Sequence, residues 1–311
     1  MIDAASKAFF HFLARNESLR HLASKYGMAS DAGFARRFIA GETVEEAIVV
    51  ARAIEGRGLS QTLDYLGESV DTLEEADAAT ADYGRILEAI VASGVGRNIS
   101  LKLTQLGLDV STDAALTNLR RILEPAKAGG FFVRIDMENS PYTDQTLEIF
   151  DRLWGEGFTN LGVVLQSALF RTSKDLPRVV GRGARVRLVK GAYKEDADIA
   201  YQRKADVDAA YLMHMEYLLA HGAFPALATH DEAIINAARA FVEQQGIAKD
   251  RFEFQMLYGV RRDLQAALMR EGYGMRVYVP FGRQWFPYFM RRLGERPANV
   301  GFVIKSLISE R

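Results

Sequence analysis

Short apolar runs rich in branched and aromatic residues alternate along most of this chain with longer runs whose apolar positions recur every three or four residues. Before about residue 55 only the second kind occurs. Phe9, Phe10, Phe12 and Leu13 recur near helical spacing, and the stretch from Glu45 to Ala51 repeats the pattern, so this part is predicted to be helical. From about residue 59 the alternation begins. The predicted strands are 60–66, 99–103, 131–137, 161–166, 185–190, 225–230, 251–257 and 275–280. Between them lie helical stretches such as 112–130 and 143–157, each opening on Thr-Asp and closing on Gly. Strand and helix in repeated alternation mean a parallel sheet, and eight units predict an α/β fold of the closed (β/α)8 type rather than an open doubly wound sheet. A ninth apolar run, 300–304, reads equally as a terminal strand or a buried tail. The expected organisation is an N-terminal helical segment, 1–58, followed by a barrel, 59–311.

Length and composition fit this picture. The chain has 311 residues. That would allow two domains at about 150 each, but one barrel takes about 250, so a barrel with a helical extension accounts for it. Lys plus Arg is 39 against 40 for Asp plus Glu. Without a basic surplus, no nucleic-acid partner is expected. Cysteine is absent, which excludes disulfides, thiolate metal sites, iron–sulfur ligation and a Cys nucleophile. The N-terminus lacks the pattern of a signal peptide, and no run approaches about 18 apolar residues. The expected location is cytoplasmic, or peripheral at the inner face of the cell membrane. GxGxxG, GxxxxGK[ST] and HExxH motifs are missing. The Gly-rich run 181–193 offers only a weak hint of a phosphate cradle.

Barrel enzymes place their chemistry at the C-terminal ends of the strands. Seven of the eight predicted strands carry a polar or titratable group near that end: Lys102; Arg134, Asp136 and Glu138; Gln166; Arg187 and Lys190; Thr229 and His230; Gln255; Tyr278. Charges inside apolar strands are costly unless paired or functional. Asp136 and Glu138 read either as a paired-carboxylate site or as partners of Arg134 in a structural salt bridge. With His230 alone and no Cys, no transition-metal site is expected. After the last strand, Tyr288, Arg291, Arg292 and Glu295 share one helical face. The stretch opens on Trp285-Phe286-Pro287, too apolar for a free surface helix. Packed over the barrel mouth, it would aim two guanidiniums at a carboxylate or phosphate.

The runs VRIDMEN, VVLQSAL, VRLVKGAYKE, LATHDEAI, FEFQMLYG, RVYVPFG and YFMRRLGERPAN resemble the proline dehydrogenase family, both its short bacterial members and the matching domain of bifunctional proline-utilisation proteins. The resemblance runs from about residue 60 to 299. It implies a distorted barrel with non-covalent FAD at the strand ends and oxidation of L-proline to Δ1-pyrroline-5-carboxylate, by hydride transfer from C5 to flavin N5. It assigns Lys102, Arg291 and Arg292 to the substrate carboxylate, Tyr278 and Tyr288 to the walls around the ring, and Glu295 to holding the arginines. Arg187 would sit by flavin N5, and Asp136 would organise the site through Lys102 or Arg187 rather than accept a proton. Met137, Gln166, Lys190, Gly191, Ala192, Thr229, His230 and Gln255 would line the FAD, with Lys190 and His230 near its ribityl and pyrophosphate part. A membrane quinone is the implied electron acceptor, and a separate pyrroline-5-carboxylate dehydrogenase the implied consumer of the product.

Two rival readings remain on residue types alone. One is a lyase or aldolase using Lys102 or Lys190 as a Schiff-base amine. The other is a non-enzymatic barrel that binds a carboxylate or phosphate.

Overall fold

The computed structural model describes residues 34–295, the last five as backbone only. Phe9 to Leu13 and the run 300–304 therefore lie outside the described residues. A short 3-10 turn, Phe34–Arg37, leads into α1 (Val44–Glu55), and then strand and helix alternate. The strands are β1 (Ser60–Tyr65), β2 (Asn98–Leu101), β3 (Phe132–Ile135), β4 (Leu161–Gln166), β5 (Arg185–Val189), β6 (Ala226–Ala228), β7 (Glu253–Leu257) and β8 (Gly274–Phe281). Between and after them come α2 (Leu73–Ser93), α3 (Thr112–Ala128), α4 (Thr143–Gly155), α5 (Thr172–Val180), α6 (Lys204–His221), α7 (Glu232–Gln245), α8 (Arg262–Arg270) and α9 (Trp285–Glu295). All strands run parallel, and the sheet closes through β1 and β8, whose register runs from Ser60 opposite Arg276 to Tyr65 opposite Phe281.

Every predicted strand is present, but several are shorter than predicted. β2 stops at Leu101 because Leu103 already takes helical angles and starts a 3-10 turn, Thr104–Leu106. β3 stops at Ile135, so Asp136, Met137 and Glu138 lie on the following loop rather than on one strand face. The helix starts are shifted too. Thr112 is the first helical residue of α3, and Ser111 before it is the cap, its side chain accepting from Ala114 N. Tyr142 precedes α4 without a side-chain cap bond.

The core lies between barrel and helices. Val133, Ile135, Val163, Val186, Leu188, Leu227, Phe254 and Val277 turn outward into it, while alternate strand residues point into the barrel, where polar groups dominate. Helix α1 belongs to the same core: Ala47, Ile48, Ala51 and Ile54 are buried with Leu63 and Val277. It starts on a capping box between Thr43 and Glu46, with Arg36 bound to Glu46 at 2.6 Å.

The segment between the first turn and α1 reaches the barrel mouth. Ala40 N donates to Pro280 O and Gly282 N to Gly41 O, each at 2.9 Å. Trp285 Nε1 donates to Glu42 Oε1 at 2.9 Å, and the Phe38 and Phe289 rings lie 6.3 Å apart. Residues 38–42 thus hold helix α9 through Trp285 and Phe289, while Tyr288 lines the mouth cavity.

Candidate active site

The barrel interior carries two polar layers. In the lower one Arg276 Nε meets both carboxylate oxygens of Glu253, at 2.8 and 3.0 Å. Arg134 Nη1 donates to two backbone carbonyls, Val163 O and Arg185 O, each at 3.1 Å. Burial, reinforced by the nearby Arg187 guanidinium, lowers the Arg134 pKa well below its usual value. The alternatives of a 134–136–138 salt bridge or an Asp136–Glu138 carboxylate pair both give way to a different arrangement. Glu138 turns away and accepts from Thr104 N at 3.1 Å and Thr104 Oγ1 at 2.6 Å, bracing the β2 loop. Asp136 belongs to the upper layer.

That layer is built around Arg187, which crosses the barrel from β5. Its Nη1 donates to Asp136 Oδ1 at 2.7 Å, its Nε to Gln255 Oε1 at 2.6 Å and its Nη2 to Ser100 Oγ at 2.9 Å. Its guanidinium carbon lies 5.1 Å from the centre of the Tyr278 ring. Tyr278 donates its hydroxyl to Asp136 Oδ2 at 2.6 Å. Burial, then the Asp136 and Asp64 carboxylates, push the Tyr278 phenol well above its ordinary value, so it remains a donor. Asp136 is therefore fixed on both oxygens, and of Lys102 and Arg187 it is Arg187 that it binds directly. Lys102, one residue past β2, pairs instead with Asp64 of β1, Nζ to Oδ1 at 3.4 Å. Burial pulls the Lys102 ammonium down, but the Asp64 and Asp136 carboxylates more than reverse this, and its pKa is raised.

Above this layer opens a cavity of about 690 Å³ at the C-terminal mouth, within the usual range for small-molecule sites. It brings together Lys102, Asp136, Met137, Arg187, Gln255 and Tyr278 with Tyr288 of α9. The ends of β4, β5 and β6 add Gln166, Lys190, Gly191, Ala192, Thr229 and His230. Arg291, Arg292 and Glu295 lie on α9, and their side chains are outside the described residues.

The rim groups are held in place by their own partners. Gln166 Nε2 donates to Glu138 O at 2.9 Å. His230 Nε2 accepts from Leu257 N at 3.0 Å, which requires a neutral imidazole protonated on Nδ1. Thr229 Oγ1 accepts from Asp231 N at 3.1 Å. Gly191 has φ +113°, and a Cβ there would sit 3.2 Å from Gln166 Oε1 and 3.3 Å from Ala168 Cβ. Its bare backbone leaves room for a close ligand approach.

Lys190 Nζ is shared between Asp208 Oδ1 at 2.5 Å and Asp231 Oδ2 at 2.8 Å, and Lys204 reaches the same two carboxylates. The hydrogen bond from Lys190 brings the Asp231 pKa down to about 2. A carboxyl depressed in the folded state contributes stability above its unfolded pKa and loses it as the pH falls. The melting-temperature gap between wild type and Asp231→Asn is thus expected to be full above about pH 4 and to close towards about pH 2. A gap that stays constant across this window in thermal melts would rule the assignment out.

Sequence reasoning passed over Asp64. Its signal was the one that found Lys102, a charge inside an apolar strand, here two residues after Thr62 in SQTLDYL. It also missed Asp208, which acts from α6, distant in sequence from any strand end.

Comparison with known proteins agrees with this geometry. The family model described as Proline dehydrogenase matches residues 47–305. Proline dehydrogenase 1 of Bacillus subtilis strain 168 is 42% identical over 301 residues, spanning 97% of this chain and 98% of its own. Proline dehydrogenase of Deinococcus radiodurans is 44% identical over 278 residues, 88% of this chain and 90% of that one. The crystal structure of proline utilization A from Bdellovibrio bacteriovorus, inactivated by N-propargylglycine, superposes with a TM-score of 0.78 at 25% identity. It covers 92% of this chain, which spans 38% of that longer protein. A raised Lys102 pKa also opposes the Schiff-base reading, which needs a neutral amine. From a barrel closed at eight strands, with its charged layer and mouth helix, and from relatives alike over nearly their whole length, it follows that this chain belongs to the proline dehydrogenase family.

Proposed function

We propose that this proline dehydrogenase binds FAD non-covalently in the mouth cavity and converts L-proline to Δ1-pyrroline-5-carboxylate, with a membrane quinone as final electron acceptor. The observation that carries the reading is the upper layer itself: a raised-pKa ammonium, a doubly fixed carboxylate and a guanidinium–phenol stack meet in one cavity. The residues fit a flavin nucleotide. The bare Gly191 backbone, the Gln166 and Thr229 side chains and the Lys190 ammonium line one part of the cavity, and Arg187 with Gln255 another. Bound there, FAD supplies the acceptor for the hydride that leaves proline C5.

The chain's own residues do the positioning. Lys102 receives the substrate carboxylate, joined by Arg291 and Arg292 from α9. Tyr278 packs against the ring from one side and Tyr288 from another, excluding water and fixing C5. Asp136 is assigned no proton-accepting role; it holds the Arg187 fork and the Tyr278 hydroxyl in place. Glu295 steadies the arginines. The barrel unit is taken as 59–311, with 1–58 ahead of it. No helix among the described residues is long and apolar enough to cross a membrane; the contact with a quinone is proposed to be peripheral, at the inner face. A separate pyrroline-5-carboxylate dehydrogenase would take the product.

The test is the visible spectrum of purified protein before and after anaerobic addition of L-proline. Oxidised-flavin bands that bleach support the reading. Flavin that does not bleach removes proline as substrate, and a colourless protein that FAD cannot reconstitute removes the cofactor.

Tyr278 also sets selectivity. Its hydroxyl is pinned by Asp136 towards the cavity, where a ring hydroxyl on the substrate would collide. Tyr278→Phe is expected to raise the hydroxyproline-to-proline ratio of kcat/KM about tenfold or more. An unchanged ratio in steady-state assays would sink the assignment.

A further inference from the structure

Asp64 is fully buried on β1, and its Oδ2 has no hydrogen-bond partner among the described residues. Carboxylate oxygens in this state are expensive, and a strand residue facing the barrel could be apolar instead. Its Oδ1 meets the Lys102 ammonium at a loose 3.4 Å. Lys102 is itself buried, and among the described residues Asp64 is its one ion-pair partner. An ammonium has three donors, so this pairing leaves donors for a further acceptor at the cavity, which Lys102 lines. The other titratable groups facing Lys102 are Asp136, Glu68 and Tyr193. Of these, Asp136 has both oxygens engaged, by Arg187 and Tyr278.

We propose that Asp64 is a positioning residue of the site, which keeps Lys102 charged and placed at the barrel mouth so that it can take the substrate carboxylate. The proposal rests on the carboxylate role given to Lys102 above. Without Asp64, the buried ammonium would lose its nearest counter-charge and burial would favour the neutral amine, which binds a carboxylate poorly. Asp64 does not meet substrate: its second oxygen is shielded within the barrel. Burial raises its own pKa and the Asp136 carboxylate adds to the rise, while the Lys102 ammonium and the Tyr278 hydroxyl oppose it.

The experiment compares wild-type, Asp64→Asn and Asp64→Glu holoenzymes. KM for L-proline and the dissociation constant of a ring carboxylate lacking the amine are measured across the alkaline range, with melting temperature and flavin content for each variant. Asp64→Asn keeps size and removes charge. It is expected to shift the alkaline rise in both constants down by about 1–3 pH units, the effect of losing one close opposite charge. Saturating kcat should move less, and Asp64→Glu should restore part of the shift. A loss of affinity in Asp64→Asn that is pH-independent, or that follows only the melting temperature or flavin content, overturns the proposal. If wild type itself shows no proline-dependent reduction, the underlying reading fails instead, and the two failures are thereby separated.

Discussion

Arg187→Met is expected to lower kcat/KM by about 10²–10³ and to weaken or abolish retention of FAD. That range follows from the cost of breaking one side of a buried ion pair, about 3–5 kcal/mol, with about 1.4 kcal/mol for each factor of ten. Arg187 is buried and ties its own strand to others: β2 through Ser100, β7 through Gln255, the end of β3 through Asp136 and β8 through the face of Tyr278. The Arg187 and Asp136 side chains are only 5% and 14% exposed, so solvent screens the pair little. Methionine fills much of the same volume but cannot donate. It leaves Asp136 with Tyr278 alone and strands the Gln255 carbonyl oxygen. Part of the cost falls on stability and part on the site, so the kinetic loss is smaller than the full penalty. Arg187→Lys should recover little, because an ammonium cannot reproduce three directed donors in one plane. Steady-state kinetics and melts with and without added FAD check this. A methionine variant within tenfold of wild type, and equally stable, would show that the cluster contributes to neither chemistry nor folding.

The barrel was legible because its signal is repeated. Eight short β runs separated by helical periods leave few other topologies, and each strand found in the structure lies on a predicted one. Strand ends were less legible. At β3, the apolar-polar alternation of RIDME continues past Ile135, yet the strand ends there and Glu138 binds Thr104 of the neighbouring loop. That contact is 34 residues away in sequence, beyond any local pattern. The same limit governs the site. Individual residues such as Lys102, Arg187 and Tyr278 could be picked out as charges or phenols inside strands. Their pairing could not, since Arg187 to Ser100 spans 87 positions and Tyr278 to Asp136 spans 142. Asp64 shows the reverse failure. Its local signal was as good as that of Lys102, but its meaning depends on a partner just past the end of the adjacent strand.

The second large effect lies outside the cavity. Gly259→Ala, on the loop after β7, is expected to lower the melting temperature by several degrees and to raise KM for proline more than it lowers kcat. Gly259 has φ +76°, and a Cβ there would fall 1.8 Å from Arg37 O and 2.8 Å from Arg37 C. Both atoms are backbone, so no rotamer change relieves the clash. The left-handed conformation alone costs a non-glycine residue about 1–2 kcal/mol, and forced overpacking adds about 1–3 kcal/mol. Relief requires moving the Phe34–Arg37 turn. That turn leads directly into the Ala40–Pro280, Gly41–Gly282 and Glu42–Trp285 contacts that hold the start of α9. Displacing α9 moves Tyr288 from the cavity wall, and with it the helix that bears Arg291 and Arg292. The loss should therefore fall on substrate affinity. Gly84→Ala is the matched control: it lies within α2, a Cβ there meets nothing within 4 Å, and helix propensity should make it neutral or slightly stabilising. If both variants melt and bind alike, the first turn does not brace the mouth helix, and the affinity of the site depends on the barrel alone.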